Sequence, residues 1–336
     1  MRGVRMRDAR TVEVGDWPDP RPDGDEVVVR VEAAAICGSD LHGLYRRPGE
    51  KAFVPGHEGA GVVAAVDRPR RAKVGDRVIM LAFRTCGTCD LCRAGYVAYC
   101  PAKTGVYGFG LNGFQAEYVR VAESCLLALP DSVAFEVGCL VLDPIGTPYH
   151  AHRRMGTNAT HTVGVFGLGP MGLGAVLWSA RLGARTIAAD PIGYRRDLAA
   201  RLGAAETVDP GAGSVVEQVR ARTGGRGLDR ALECSGAAEA LAAALDLVRP
   251  LGAVAIIGEN RQAAINPSAH FAHKEATLSG SCCFPLGEYG DILALLEAGL
   301  SAADLITHRF PLAEAAAAYC AFDEGRTGKV VLLPPA

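Results

Sequence analysis

A chain of 336 residues, 49% hydrophobic and 21% charged, has a globular make-up and a length that suits two domains better than one core. Its formal charge of −2 gives no electrostatic basis for binding nucleic acid or an anionic membrane. No run approaches the roughly eighteen apolar residues of a membrane span, residues 1–15 are too charged for a secretory signal, and eleven cysteines, an odd number with four at metal spacing, point to a reducing cytoplasm rather than a disulfide framework.

Residues 1–35 read as β structure, with the apolar run 26–32 following the turn-rich Pro and Asp segment 18–25. Residues 59–66, 73–79 and 117–121 continue as strands, with a glycine turn between charged ends at Gly75, which gives a β-rich first domain with no internal repeat. From about residue 150 the pattern changes. Short apolar strands at 162–166, 186–189, 230–232 and 253–257 alternate with Ala-rich helical stretches such as 173–182, the pattern of a doubly wound parallel sheet. Helices near 288–298 and 313–322 and a last strand at 329–333 close the chain. The expected fold class is therefore α/β, with residues 1–147 and the returning segment 289–336 in one domain and 148–288 in the other.

Cys86, Cys89, Cys92 and Cys100 form C-x2-C-x2-C-x7-C. Such short steps let four thiolates close a tetrahedron on Zn²⁺ at about 2.3 Å and leave no position for substrate, so this site is expected to be structural. Gly167-Leu168-Gly169-Pro170-Met171-Gly172 is G-x-G-x-x-G; it follows an apolar strand, opens a helix and precedes Asp190 at the end of the next strand. That context predicts a dinucleotide loop, with the pyrophosphate against the helix N-terminus. A carboxylate at Asp190 suits a ribose diol and repels a 2′-phosphate, favouring NAD over NADP, although Arg195 and Arg196 stand close enough to soften the preference.

The stretch Cys37-Gly38-Ser39-Asp40-Leu41-His42 with Gly56-His57-Glu58 sets out the parts of an open zinc site. A catalytic zinc takes three protein ligands and keeps one position open. Cys37 and His57 supply two. Asp143, a carboxylate in an apolar run, is a candidate third, or a helix cap ahead of Pro144. Glu58 is either a fourth ligand or a group behind the metal. His150 and His152 are read as solvated or packed, Cys282 and Cys283 as strand-end core, and Cys125, Cys139 and Cys320 as small core residues.

Together with Val74-Gly75-Asp76-Arg77-Val78, Glu233-Cys234-Ser235-Gly236 and Gly328-Lys329-Val330-Val331, these motifs give the chain, over nearly its whole length, a resemblance to the zinc-dependent medium-chain alcohol dehydrogenases, on their sorbitol and threonine dehydrogenase side. The resemblance implies a GroES-like first domain, a Rossmann second domain and a homodimer or homotetramer. Two zinc ions per chain are expected: a catalytic one at Cys37, His57, Asp143 and Glu58, and a structural one. At the position of Asp143 the family usually has Glu in polyol dehydrogenases and Cys in ethanol-type enzymes. Ser39 would take the proton of the alcohol, His42 pass it to solvent, and Asp40 orient His57. Cys234 and Gly258 join the glycine loop on the nucleotide side. The expected reaction is reversible NAD-linked oxidation of a secondary alcohol in the cleft between the domains. The third ligand and the polar candidates Ser39, Tyr45 and Glu58 favour a polyol, sugar or (amino)cyclitol. A threonine-type amino-alcohol acid is the alternative, and a nucleotide-binding sensor without turnover would lack use for the open ligand set.

Overall fold

The computed structural model describes residues 1–260 and 262–335. Two units divide the chain: Met1–Leu142 with Pro285–Gly299 and Ile306–Ala336, and Asp143–Phe284 with Leu300–Leu305.

The first unit is built on the strand Glu26–Ile36, almost wholly buried because both of its edges are paired. Antiparallel to it run Glu58–Val66 along one edge and Tyr118–Ala122 and then Lys329–Leu333 along the other. Arg77–Met80 and Leu126–Ala128 extend the sheet on one side, and Ile306–Pro311 extends it on the other, parallel to Lys329–Leu333. The pairing of Ile36 with Val330 and of Ala35 with Glu58 brings three distant segments together just ahead of Cys37. Helix Ala315–Asp323 buries Ala315, Ala318, Tyr319 and Phe322, one stripe at helical spacing, in a core with Val4, Met6, Ile36, Leu41 and Leu44.

The glycine turn read within 73–79 is present: Gly75 has φ +96°, Lys73 and Asp76 bond across it, and Val74 is 63% exposed, so the strand starts at Arg77. Two expectations need correction in this unit. Cys320 is exposed, on the face of its helix opposite the buried stripe. Tyr45 does not offer its phenol to a pocket; it is 5% exposed and stacks on Tyr319 with ring centroids 5.2 Å apart.

The second unit holds a six-stranded parallel sheet in the order Glu206–Val208, Arg185–Ala189, Thr162–Phe166, Leu228–Glu233, Val248–Ile256, Thr277–Gly280. Helices Pro170–Arg181, Gly193–Arg201, Val215–Arg222 and Ala238–Leu247 connect these strands. Its fold is thus the doubly wound Rossmann type, and the first unit supplies the β-rich half of the α/β class. His150 and His152 are both buried. His152 accepts at Nδ1 from Thr157 (3.1 Å) and donates at Nε2 to the Ala175 carbonyl (3.0 Å), and burial pushes it down to about 4. Cys283 is buried, but Cys282, expected with it in the core, is exposed, because the strand ends at Gly280 and Cys283 turns through φ +58°. Among the described residues no helix is long and apolar enough to cross a membrane.

Candidate metal and nucleotide sites

Cys37 ends the central strand and starts the short helix Gly38–Asp40. The fully buried Asp40 carboxylate divides its two oxygens: Oδ2 accepts from the Cys37 backbone N–H at 3.0 Å, and Oδ1 lies 3.2 Å from His57 Nδ1. Holding Nδ1 in this way leaves Nε2 as the ring nitrogen for a ligand. The Ser39 hydroxyl sits 3.4 Å from that nitrogen. His57 is aimed by Gly56, whose φ of +91° and position 2.4 Å from Gln115 Cγ for any added Cβ exclude another residue. Phe109 packs beside the imidazole at 5.4 Å.

Asp143 follows Leu142, where the first unit's N-terminal segment ends, inside the π-helical turn Val141–Ile145. It is not a helix cap, because Pro144 lies inside the same turn. The ligand atoms of Cys37, His57, Glu58 and Asp143 all lie within 4.8 Å of one another. Tetrahedral zinc needs donors roughly 3.3–3.8 Å apart at its usual bond lengths, and one thiol, one imidazole and carboxylates are its customary set. The residues fit a zinc ion after small adjustments.

Glu58 has a partner that sequence reasoning missed. It is fully buried, and its Oε1 forms an ion pair with Nζ of Lys329, also fully buried. The only hint in the sequence was a lysine at the head of the apolar strand Lys329–Leu333. His42 is exposed on the π-helical turn Leu41–Tyr45, where its Nδ1 lies 3.3 Å from Nη1 of Arg46.

The four cysteines also converge. Sγ separations are 3.5 Å for Cys86–Cys100, 3.9 Å for Cys89–Cys100 and 4.0 Å for Cys86–Cys92. They bracket the ~3.8 Å edge of a tetrahedron of sulfurs around zinc. The Cys89 and Cys92 N–H groups point at the Cys86 and Cys89 sulfurs, 3.4 and 3.5 Å away. Backbone donation from Thr88 and Cys89 holds the Cys86 thiol down at about 6, while burial pushes Cys92 up to about 11.

At the glycine loop each Gly does a different job. Gly167 has φ +88°, and a Cβ there would meet Ser235 at 2.5 Å. A Cβ at Gly172 would meet the Gly167 carbonyl at 1.8 Å, so its smallness closes loop on helix. Gly169, the residue before Pro170 at the first helical position, faces open space, as the approach of a pyrophosphate requires. Leu168 and Met171 complete the loop, and the Leu168 N–H points inward, donating to Asp190 Oδ2 at 2.7 Å. The other Asp190 oxygen accepts from the Ile192 N–H at 2.8 Å, with Arg195 3.9 Å from the carboxylate and Arg196 donating to the Asp190 carbonyl at 2.7 Å. Asp190 is 4% exposed, so it braces the loop as well as presenting charge.

Behind the loop, Glu233, which the sequence placed in a motif without assigning it a role, is fully buried. Its Oε1 accepts from the N–H groups of Ser235 (2.7 Å) and Gly236 (2.9 Å), and its Oε2 from Asn260 (2.6 Å). Gly258 has no room for a side chain, since a Cβ would lie 2.2 Å from the Gly236 nitrogen, and Cys234 backs onto Gly172.

Comparison with known proteins agrees with both halves. Residues 23–131 match the alcohol dehydrogenase GroES-like domain, and residues 170–298 match the zinc-binding dehydrogenase domain. The chain is 34% identical over 267 residues to sorbitol dehydrogenase of Bacillus subtilis, covering 77% of this chain and 75% of that one. It is 32% identical over 327 residues to L-threonine 3-dehydrogenase of Caldanaerobacter subterraneus subsp. tengcongensis, covering 94% and 93%. The solved alcohol dehydrogenase TADH from Thermus sp. ATN1 superposes with a TM-score of 0.91 at 34% identity over the whole of both chains. The chain is a zinc-type alcohol dehydrogenase, a member of the medium-chain dehydrogenase superfamily.

Proposed function

We propose that this oxidoreductase reversibly oxidises a secondary alcohol of a polyol, sugar or (amino)cyclitol to a ketone, with NAD as the partner. The observation that carries the substrate class is the carboxylate of Asp143 within ligand distance of Cys37 and His57, where a second thiol would mark an ethanol-type site. Similarity to a sorbitol dehydrogenase supports the same reading.

In this proposal Cys37, His57 and Asp143 hold the catalytic zinc, and Glu58 stands behind it on Lys329 or serves as a fourth ligand. The cysteine quartet holds a second, structural zinc. Bound zinc supplies Lewis acidity that lowers the pKa of an alcohol hydroxyl toward about 7, as it does for water. Asp40 keeps the imidazole of His57 turned toward the ligand position, and Ser39, beside His57 Nε2, accepts the hydroxyl proton. His42, exposed on the following turn, passes that proton to solvent. The nicotinamide supplies the acceptor for the hydrogen lost from carbon. Gly169 leaves space for its pyrophosphate, Gly167 and Gly172 let the loop close on strand and helix, and the Asp190 carboxylate disfavours a 2′-phosphate. The working form is proposed to be a cytoplasmic homodimer or homotetramer with no nucleic-acid or membrane partner.

The test is a panel of polyols, aminocyclitols, simple secondary alcohols and L-threonine, with NADH formation followed by absorbance. Turnover confined to the hydroxyl-rich compounds supports the proposal. Turnover of threonine alone, to which the similarity with a threonine dehydrogenase points, replaces it. Tight NAD binding without turnover of any compound would leave a nucleotide sensor.

A further inference from the structure

His42 does not stand alone on its turn. Arg46, whose N–H closes the turn on the Leu41 carbonyl at 2.9 Å, follows His42 by four positions, and its side chain lies on the same face. Nη1 of Arg46 lies 3.3 Å from His42 Nδ1. A guanidinium has donors only, so the contact requires Nδ1 to accept and places the ring proton of the neutral form on Nε2. Arg46 is itself anchored: Nε and Nη2 both contact Oδ1 of Asp323, at 2.7 and 2.6 Å. Asp323 ends the helix whose opposite face fills the core, and its side chain is only 15% exposed, so the anchor is rigid.

From these contacts we infer that Arg46, fixed by Asp323, is a positioning residue that selects the Nδ1-acceptor form of His42 and holds the imidazole neutral to lower pH than a solvated histidine. The surroundings have the required sign. Arg46 and Arg47 come from the turn itself, Arg47 donating to the His42 carbonyl at 3.1 Å, and Arg10 from the first hairpin lies 3.4 Å from the other Asp323 oxygen. Against these three cations stands the Asp323 carboxylate. Tyr45, on the same turn, has its phenol pushed up by burial, with Asp323, Cys320, Arg10 and Arg46 around it, and the Cys320 thiol faces Glu324. The Arg46 side chain is 37% exposed, so the effect of removing its charge is expected to be about 0.5–1 pH unit rather than the full shift of a buried pair.

The consequence for catalysis rests on the proposed Ser39–His42 proton exit, but the electrostatic inference does not. The experiment is an NMR titration of the imidazole nitrogens in the zinc-containing protein labelled at histidine, with His42→Gln to assign the resonance. Arg46→Met should raise the His42 midpoint by about 0.5–1 pH unit and mix the two tautomers. Arg46→Gln, which keeps polarity without charge, gives the same reading if the first variant folds poorly. A His42 midpoint and tautomer unchanged in both folded variants overturn the inference. In parallel, the acid limb of kcat for alcohol oxidation is measured. If it moves with the midpoint, the inference and the proton exit both stand. If the midpoint moves and the limb does not, the inference stands and the proton leaves by another route.

Discussion

Removing the ammonium of Lys329 breaks an ion pair whose two members, Lys329 and Glu58, are both fully buried. They come from the two strands that flank the end of Glu26–Ile36, immediately ahead of Cys37. Lys329→Met keeps the apolar stem and deletes the charge, leaving the Glu58 carboxylate in the core without that ammonium. Breaking a buried pair from one side costs about 3–5 kcal/mol, because desolvation of the remaining charge is no longer offset. At about 2–4 °C per kcal/mol for a unit of this size, the midpoint of thermal unfolding should fall by on the order of 10 °C. The assay is thermal unfolding at neutral pH with both zinc sites filled, run on Lys329→Met, Glu58→Gln and the double variant. The double variant removes both charges and should recover at least half of the loss, since a neutral pair in the same volume carries no stranded ion. A drop below about 2 °C in Lys329→Met, or a double variant no better than the sum of the single changes, would refute the claim that this pair is coupled and structurally costly to break.

Other perturbations separate the remaining parts. Cys37→Ser should lower zinc from about two ions per chain to about one with the fold kept, as read by elemental analysis and circular dichroism; an unchanged ratio removes Cys37 from the ligand set. Asp190→Ala removes the negative charge and the acceptor for the Leu168 and Ile192 N–H groups, so the ratio of catalytic efficiencies for NAD over NADP should fall about tenfold or more, a difference near 1.4 kcal/mol. If that ratio stays constant while the affinity for both nucleotides falls, Asp190 serves the loop alone. His152 makes stability depend on pH: its folded value of about 4 lies below the value of 6.5 for a solvated histidine, so below pH 6.5 the unfolded chain takes up a proton that the folded chain refuses. The stabilisation is complete above that pH and is lost as pH falls from 6.5 toward 4, by about 3 kcal/mol in all. Urea unfolding at pH 7 and pH 5 should show this loss in the wild type and a flatter dependence in His152→Gln; equal slopes would place the acid sensitivity elsewhere.

What could be read from the amino-acid order follows from where each interaction is decided. The cysteine quartet and the glycine loop are local: a metal or a phosphate requires those residue types at those spacings, and the structure brings them together as the spacing demands. The strands at 162–166 and 329–333 were equally legible, because a strand paired on both edges and buried reads as a short apolar run. Lys329 was not, because its partner is 271 positions away and only the sheet register, Val330 on Ile36 and Glu58 on Ala35, places the two together. Cys320 was misassigned since an Ala-rich helix carries little contrast between its faces, and only Tyr319 and Phe322 mark the buried one. Tyr45 was misassigned for a related reason. Its turn advances by five residues rather than by the usual helical repeat, and that carries the ring beneath the surface onto Tyr319. Arg46 follows His42 by four positions, a spacing that places the two side chains on one face and supplies a cation to the proposed proton exit. A second such turn, Val141–Ile145, carries Asp143. Among the described residues a third π-helical turn, Ser268–Ala272, carries none of the proposed chemistry, so two of the three departures from regular winding fall where the chemistry is proposed, and a repeat of hydrophobic positions read along the sequence registers none of them.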